Sequence, residues 1–131
     1  MPAAPLQVRW LPPLRGAAPQ QSSGKFLQLR WHGQDLLLFA PAERHRYHNQ
    51  ILAAFAAEQG LPHRWITPER LELNHPDLLV IGGGRFDLDL ASGSLRLWDA
   101  SQAYGGFQSE RLAAGLAQAG PPWNRLSLAI A

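Results

Sequence analysis

Three consecutive glycines, Gly82, Gly83 and Gly84, follow an apolar run and lead straight into Arg85. Successive backbone N–H groups with no Cβ in the way can converge on an anion, and a guanidinium beside them offers the planar fork that matches phosphoryl oxygens. Phosphate binding is therefore one chemistry this spacing admits. A β-bulge or tight bend beside a solvated arginine is the other reading. Neither common nucleotide motif fits: no Gly-Lys-Ser/Thr closes the run, position 87 is Asp, and the pattern that follows is that of a strand.

Among the 5 histidines, His48 stands out. It falls early in a predicted helix, beside Tyr47 at the margin of the apolar face, where it can look from the core edge into a cleft. The partial positive charge of a helix N-terminus and any nearby cation disfavour imidazolium, which keeps a neutral ring available as a base. A structural or solvated histidine is the plainer reading. Glu43, His45 and His48 lack an HExxH pattern, and Arg44 and Arg46 would repel a cation, so no metal is expected there. Lys25 is the sole lysine among 12 basic side chains, in a chain that otherwise uses arginine.

Composition narrows the classes. With 131 residues, of which 46% are hydrophobic and 17% charged, the chain fits one domain with one core. A net charge of +2 without a dense basic run argues against nucleic acid as partner. The absence of cysteine removes disulfides, thiolate zinc sites and a cysteine nucleophile. The proline-broken start has neither a charged nor an apolar leader region, and no apolar run is long enough to span a membrane. A cytoplasmic protein is expected.

The elements that must carry these residues follow from periodicity. A short edge strand is predicted at 6–11, then a small-residue loop from Gly16 to Gly24. Strands at 26–31 and 36–39 form a hairpin closed by Pro41. Tyr47, Ile51 and Phe55 recur every four residues with Leu52 beside them, which predicts a helix over 43–59 stopped by Gly60 and Pro62. Within 63–77, Thr67 and Pro68 read as the cap and first turn of a short helix. A strand at 78–81 precedes the glycines, and an alternating hairpin at 86–90 and 95–98 follows them. A second helix over about 107–119 carries Leu112 and Leu116, and "RLSLAIA" is the last strand. The expected fold is α/β: a single-domain layered structure with a mixed central sheet flanked by two main helices.

Taken together, "GKFLQLRWH", "RYHNQILAAF", "IGGGRF" and "LRLWDASQAYGG" resemble, in order and setting, the phosphohistidine phosphatase family, also called the Janus/ocnus family. The resemblance runs from about Lys25 to the end of the second helix. It implies a small α/β enzyme that hydrolyses the P–N bond of phosphohistidine without a metal or other cofactor. It implies that His48 is the catalytic histidine, and that Lys25 and Arg85 bind phosphate. It further implies that Ser101, Gln102 and Ala103 form a phosphate-binding loop ahead of Tyr104. The glycines would then turn tightly at the mouth of the site and aim Arg85. The stretch between His48 and Gly82 is longer than is usual in the family, and Gln108 and Ser109 stand where many members carry a histidine.

On that resemblance the partner is a phosphohistidine-containing protein or a small phosphoramidate, met by a monomer. Phospholysine and phosphoarginine stay open as substrates. His48 can serve as base or as nucleophile. Two other classes compete: a phosphoryl-recognition module without turnover, and a single-stranded nucleic-acid binder using the 5 tryptophans.

Overall fold

The structure is a computed structural model and describes residues 6–41 and 47–131. In chain order its elements are β1 (Gln7–Trp10), β2 (Gln21–Trp31), β3 (Gln34–Pro41), α1 (His48–Gln59), β4 (Arg64–Thr67), β5 (Arg70–Glu72), β6 (Leu78–Asp89), β7 (Ser94–Trp98), α2 (Ser109–Gln118) and β8 (Ser127–Ile130). The six-stranded sheet runs β1-β3-β2-β6-β7-β8, and β4-β5 make a separate hairpin. Its two edge pairings, β1 with β3 and β7 with β8, are parallel, and the inner ones are antiparallel. The expected mixed α/β fold is what the chain adopts. Among the described residues no helix is long and apolar enough to cross a membrane.

One helix covers each face. Ile51, Leu52 and Phe55 of α1 pack on Leu27 and Leu29 of β2 and Leu36 and Leu38 of β3. Leu112 and Leu116 of α2 pack with Phe26, Leu37, Phe39, Phe86, Leu88, Leu95 and Leu97 on the other face. The apolar run of β3 is thus divided between two cores, as expected of a strand buried on both sides. Gly60 ends α1 in the left-handed conformation at φ 70°, where glycine bears no Cβ penalty.

The glycine run corrects an expectation. Gly82 to Gly84 do not turn; they lie inside β6, which continues from Leu78 to Asp89. The irregularity lies one residue earlier: Leu29 faces Val80 and Gln28 faces Gly82, which makes Ile81 the extra residue of a β-bulge. Because side chains alternate with period two, one added residue exchanges the faces. Val80 accordingly packs into the α1 core and Phe86 into the α2 core, although both are even-numbered. Arg85 thereby emerges on the α1 face.

Three further expectations shift. Thr67 and Pro68 do not start a helix but join β4 to β5, with Thr67 Oγ1 accepting the Glu69 N–H at 3.2 Å. A short hydroxyl and a fixed φ suit a helix cap and a tight turn equally, so the local signal was ambiguous. Strand β2 begins at Gln21, inside the expected loop, because it pairs along its whole length with β6. Tyr47 is 39% exposed and precedes α1 as its N-cap; it is not part of the apolar stripe. The expected first turn at 43–46 lies outside the described residues.

A buried polar residue ties α2 to the sheet. Gln28 is 1% exposed, and its Oε1 accepts the Gln108 N–H at 2.7 Å just before α2 begins. Gln28→Leu removes that acceptor from an otherwise unpaired N-terminal donor, which should cost about 1–3 kcal/mol. In urea denaturation the midpoint should fall with an unchanged slope; an unchanged midpoint would mean that water takes the acceptor's place.

Candidate functional site

Lys25 and Arg85 are direct cross-strand partners of β2 and β6. Two-residue alternation places Lys25 on the face of Leu27, the side that α1 covers. Across β6 from Lys25, Arg85 pairs with Trp98 of β7. Two cations thus stand side by side just beyond the N-terminal end of α1.

His48 is the first residue of α1 and is 7% exposed. Its helix starts where the Gln50 side chain reaches back, Oε1 accepting the Tyr47 N–H at 3.1 Å. The His48 Nε2–H donates to the Gly84 carbonyl at 3.0 Å. A carbonyl can only accept, so this bond fixes the proton on Nε2 in the neutral ring and leaves Nδ1 as the acceptor.

The ring lies against Gly83. A Cβ there would come within 2.7 Å of His48 Cδ2 and 2.6 Å of the Phe26 carbonyl oxygen, distances that real Cβ atoms do not tolerate. Missing Cβ atoms at Gly82 and Gly84 likewise admit the Gly106 and Trp98 carbonyls. Close approach of other groups, not a turn, is what this run of glycines serves. The Gly83 N–H donates to the Gly105 carbonyl at 3.1 Å. Gly83 and Gly84 therefore act beneath the histidine, and the Gly83 N–H is already occupied.

The 101–105 loop is held by two reciprocal bonds, Ser101 N–H to Gly105 O at 3.0 Å and Gly105 N–H to Ser101 O at 2.9 Å. Ser101 is buried, and its Oγ accepts the Tyr104 N–H at 3.1 Å. Ser101 thus braces the loop from below, and its own N–H is used internally. Gln102 and Ala103 at the tip line a cleft of about 630 Å³ together with Lys25, Tyr47, His48 and Arg85.

Asn49, Glu69 and Asp99 also line this cleft and were not singled out in the sequence. Asp99 holds the left-handed conformation at φ 71° without being glycine. One oxygen, Oδ1, accepts the Ala100 N–H at 2.9 Å, while Oδ2 lies 3.3 Å from Arg85 Nε. The local bond to its own neighbour is what lets Asp visit this region. In the sequence it reads as an ordinary residue at the end of an alternating strand. The cluster of Glu43, His45 and His48 considered above lies, apart from His48, outside the described residues.

The His48 pKa is lowered from 6.5, first by burial and further by the charge of Lys25. The bond to Gly84, the charge of Asp99 and the Phe26 carbonyl oppose this. Burial therefore outweighs charge in keeping the ring neutral. No family model and no curated protein matches this chain.

Three expectations follow, the first two from this balance. As pH falls, the unfolded chain takes up the proton first, so the His48 contribution to stability is complete above pH 6.5 and is lost as pH falls through the lower folded value. Followed by NMR, the His48 pKa should rise in Lys25→Gln and fall further in Asp99→Asn. Shifts of the opposite sign would remove both charges from the site. Gly83→Ala should displace the ring, seen as loss of the protected Nε2–H resonance.

Proposed function

We propose that this chain is a phosphatase that hydrolyses the P–N bond of phosphohistidine without a metal, with His48 as general base. The observation that carries the reading is the neutral, oriented His48 ring beside the paired cations Lys25 and Arg85. A base for water and a clamp for phosphoryl oxygens are the two parts such chemistry requires. The resemblance of the four quoted segments to the phosphohistidine phosphatase family supports it further, since Lys25, His48, Arg85 and the 101–103 loop come together around one cleft.

In this mechanism Lys25, Arg85 and the loop tip at Gln102 and Ala103 hold the phosphoryl oxygens. His48 Nδ1 takes a proton from water as its oxygen bonds to phosphorus in line with the departing nitrogen. The Gly84 carbonyl steadies the imidazolium that forms, through the Nε2–H bond of 3.0 Å. Asp99 holds Arg85 by its Nε, and its charge offsets part of the cost of protonating the ring. The P–N bond breaks with its electron pair going to the departing nitrogen, and the leaving imidazole, protonated on its other nitrogen in the bound substrate, departs neutral. Action in the cytoplasm as a monomer, without a cofactor, belongs to the same proposal.

The test is hydrolysis of phosphohistidine by the purified protein in the presence of chelator. His48→Ala should fold, still bind a phosphate analogue, and lose turnover by roughly two to four orders of magnitude. Arg85→Lys should be impaired despite its charge, because the planar fork is lost. The acid limb of the wild-type rate should fall below pH 6.5, where the buried ring titrates. Phosphate trapped on His48 by rapid quench would make it the nucleophile. Binding without turnover would make the chain a recognition module, and full activity in His48→Ala would end the proposal.

A further inference from the structure

The hairpin of β4 and β5 stands apart from the main sheet, yet its tip is fixed to the site. Asn49, which follows His48 directly in α1, is 4% exposed and donates its Nδ2–H to the Glu69 carbonyl at 2.6 Å. The Glu69 N–H is held by Thr67 Oγ1 at 3.2 Å. Both main-chain polar groups of Glu69 are thus engaged, which anchors the residue against the first turn of α1. Glu69 lines the same cleft as Lys25, His48 and Arg85.

A carboxylate in a phosphate cleft works against the phosphoryl anion. Asp99 is engaged by Arg85, but among the described residues no cation pairs with the Glu69 carboxylate. The two cations sit on β2 and β6, whereas Glu69 sits on the turn between β4 and β5, tied through its carbonyl to the first turn of α1. An anion held there suits the other end of the substrate, provided that end is positive.

We infer that Glu69 forms a leaving-group subsite that selects N-phosphorylated basic side chains, whose departing portion is cationic when protonated. This rests on the phosphatase reading above and extends its substrate class from phosphohistidine to N-phosphorylated basic side chains, set against acyl and phenyl phosphates. In the reaction the O–P bond forms from water, whose proton goes to His48 Nδ1. The P–N bond then breaks with its electron pair going to the departing nitrogen of a leaving group already protonated in the bound substrate, so that a neutral imidazole, amine or guanidine departs. A protonated phosphoimidazole, phospholysine or phosphoarginine presents positive charge to Glu69. An acyl or phenyl phosphate releases an anion, which Glu69 repels.

The subsite can be read without turnover. In NMR titrations the wild type should bind 2-aminoethylphosphonate about two- to fivefold more tightly than methylphosphonate, the size of a partly exposed ion pair, with the preference fading in salt. Glu69→Gln should abolish the preference and stay folded, since its anchoring bonds are main-chain. In turnover the same variant should lose kcat/KM toward phosphohistidine and phospholysine but not toward acetyl phosphate. Equal binding of the two phosphonates by the wild type, or a preference that survives Glu69→Gln, overturns the inference. Failure to bind either phosphonate overturns it together with the phosphate site. The ammonium preference without hydrolysis of any N-phospho compound upholds the subsite and ends the phosphatase reading alone.

Discussion

The bond from the His48 Nε2–H to the Gly84 carbonyl is the constraint around which the site is arranged. It requires a helix to begin directly over a strand and an imidazole to lie on bare backbone. It also requires that no side chain stand between them. Gly83 supplies the bare surface, and its neighbours let the Gly106 and Trp98 carbonyls close in from either side. A single Cβ at position 83 would lift the ring from its acceptor and free the tautomer that the bond now specifies.

The charges around that ring oppose one another. Lys25 and Arg85 lie together, and Asp99 and Glu69 line the same cleft. With the cations partly offset, burial is the leading cause of the neutral ring, and Lys25 adds to it. The residue that moderates both Arg85 and His48, Asp99, is also one held in a backbone conformation rare for non-glycine residues. Strain of this kind persists where surrounding contacts over-determine it, here the Ala100 N–H and Arg85.

A one-residue irregularity decides which side of the sheet receives this chemistry. Without the bulge at Ile81, the alternation that buries Val80 under α1 would send Arg85 to the α2 face, away from Lys25 and His48. Gln28, at the same place on β2, holds the start of α2 on the opposite face. The bulge and the buried amide together set where both helices sit relative to the glycine strand.

Much of the fold was legible locally because period and punctuation are local properties. The apolar run of β3, the Ile51–Leu52–Phe55 stripe, the Gly60 stop and the hairpin after Arg85 all follow from residues close in sequence. The pattern also marked Lys25, His48 and Arg85 as residues worth chemistry. What it could not yield were facts that depend on a distant partner. The glycines read as a turn because close approach by His48 and the 105–106 backbone comes from segments more than twenty residues away. Thr67 and Pro68 read as a helix start because cap and turn use the same local chemistry, and only pairing of β4 with β5 separates them. Glu69, Asn49 and Asp99 carried no signal, since their place in the cleft exists only once the hairpin, α1 and β7 are packed together. Residue type and spacing determined which groups were available and what each could do. Tertiary structure alone decided which of them meet, because meeting depends on register, bulge and packing across the sheet.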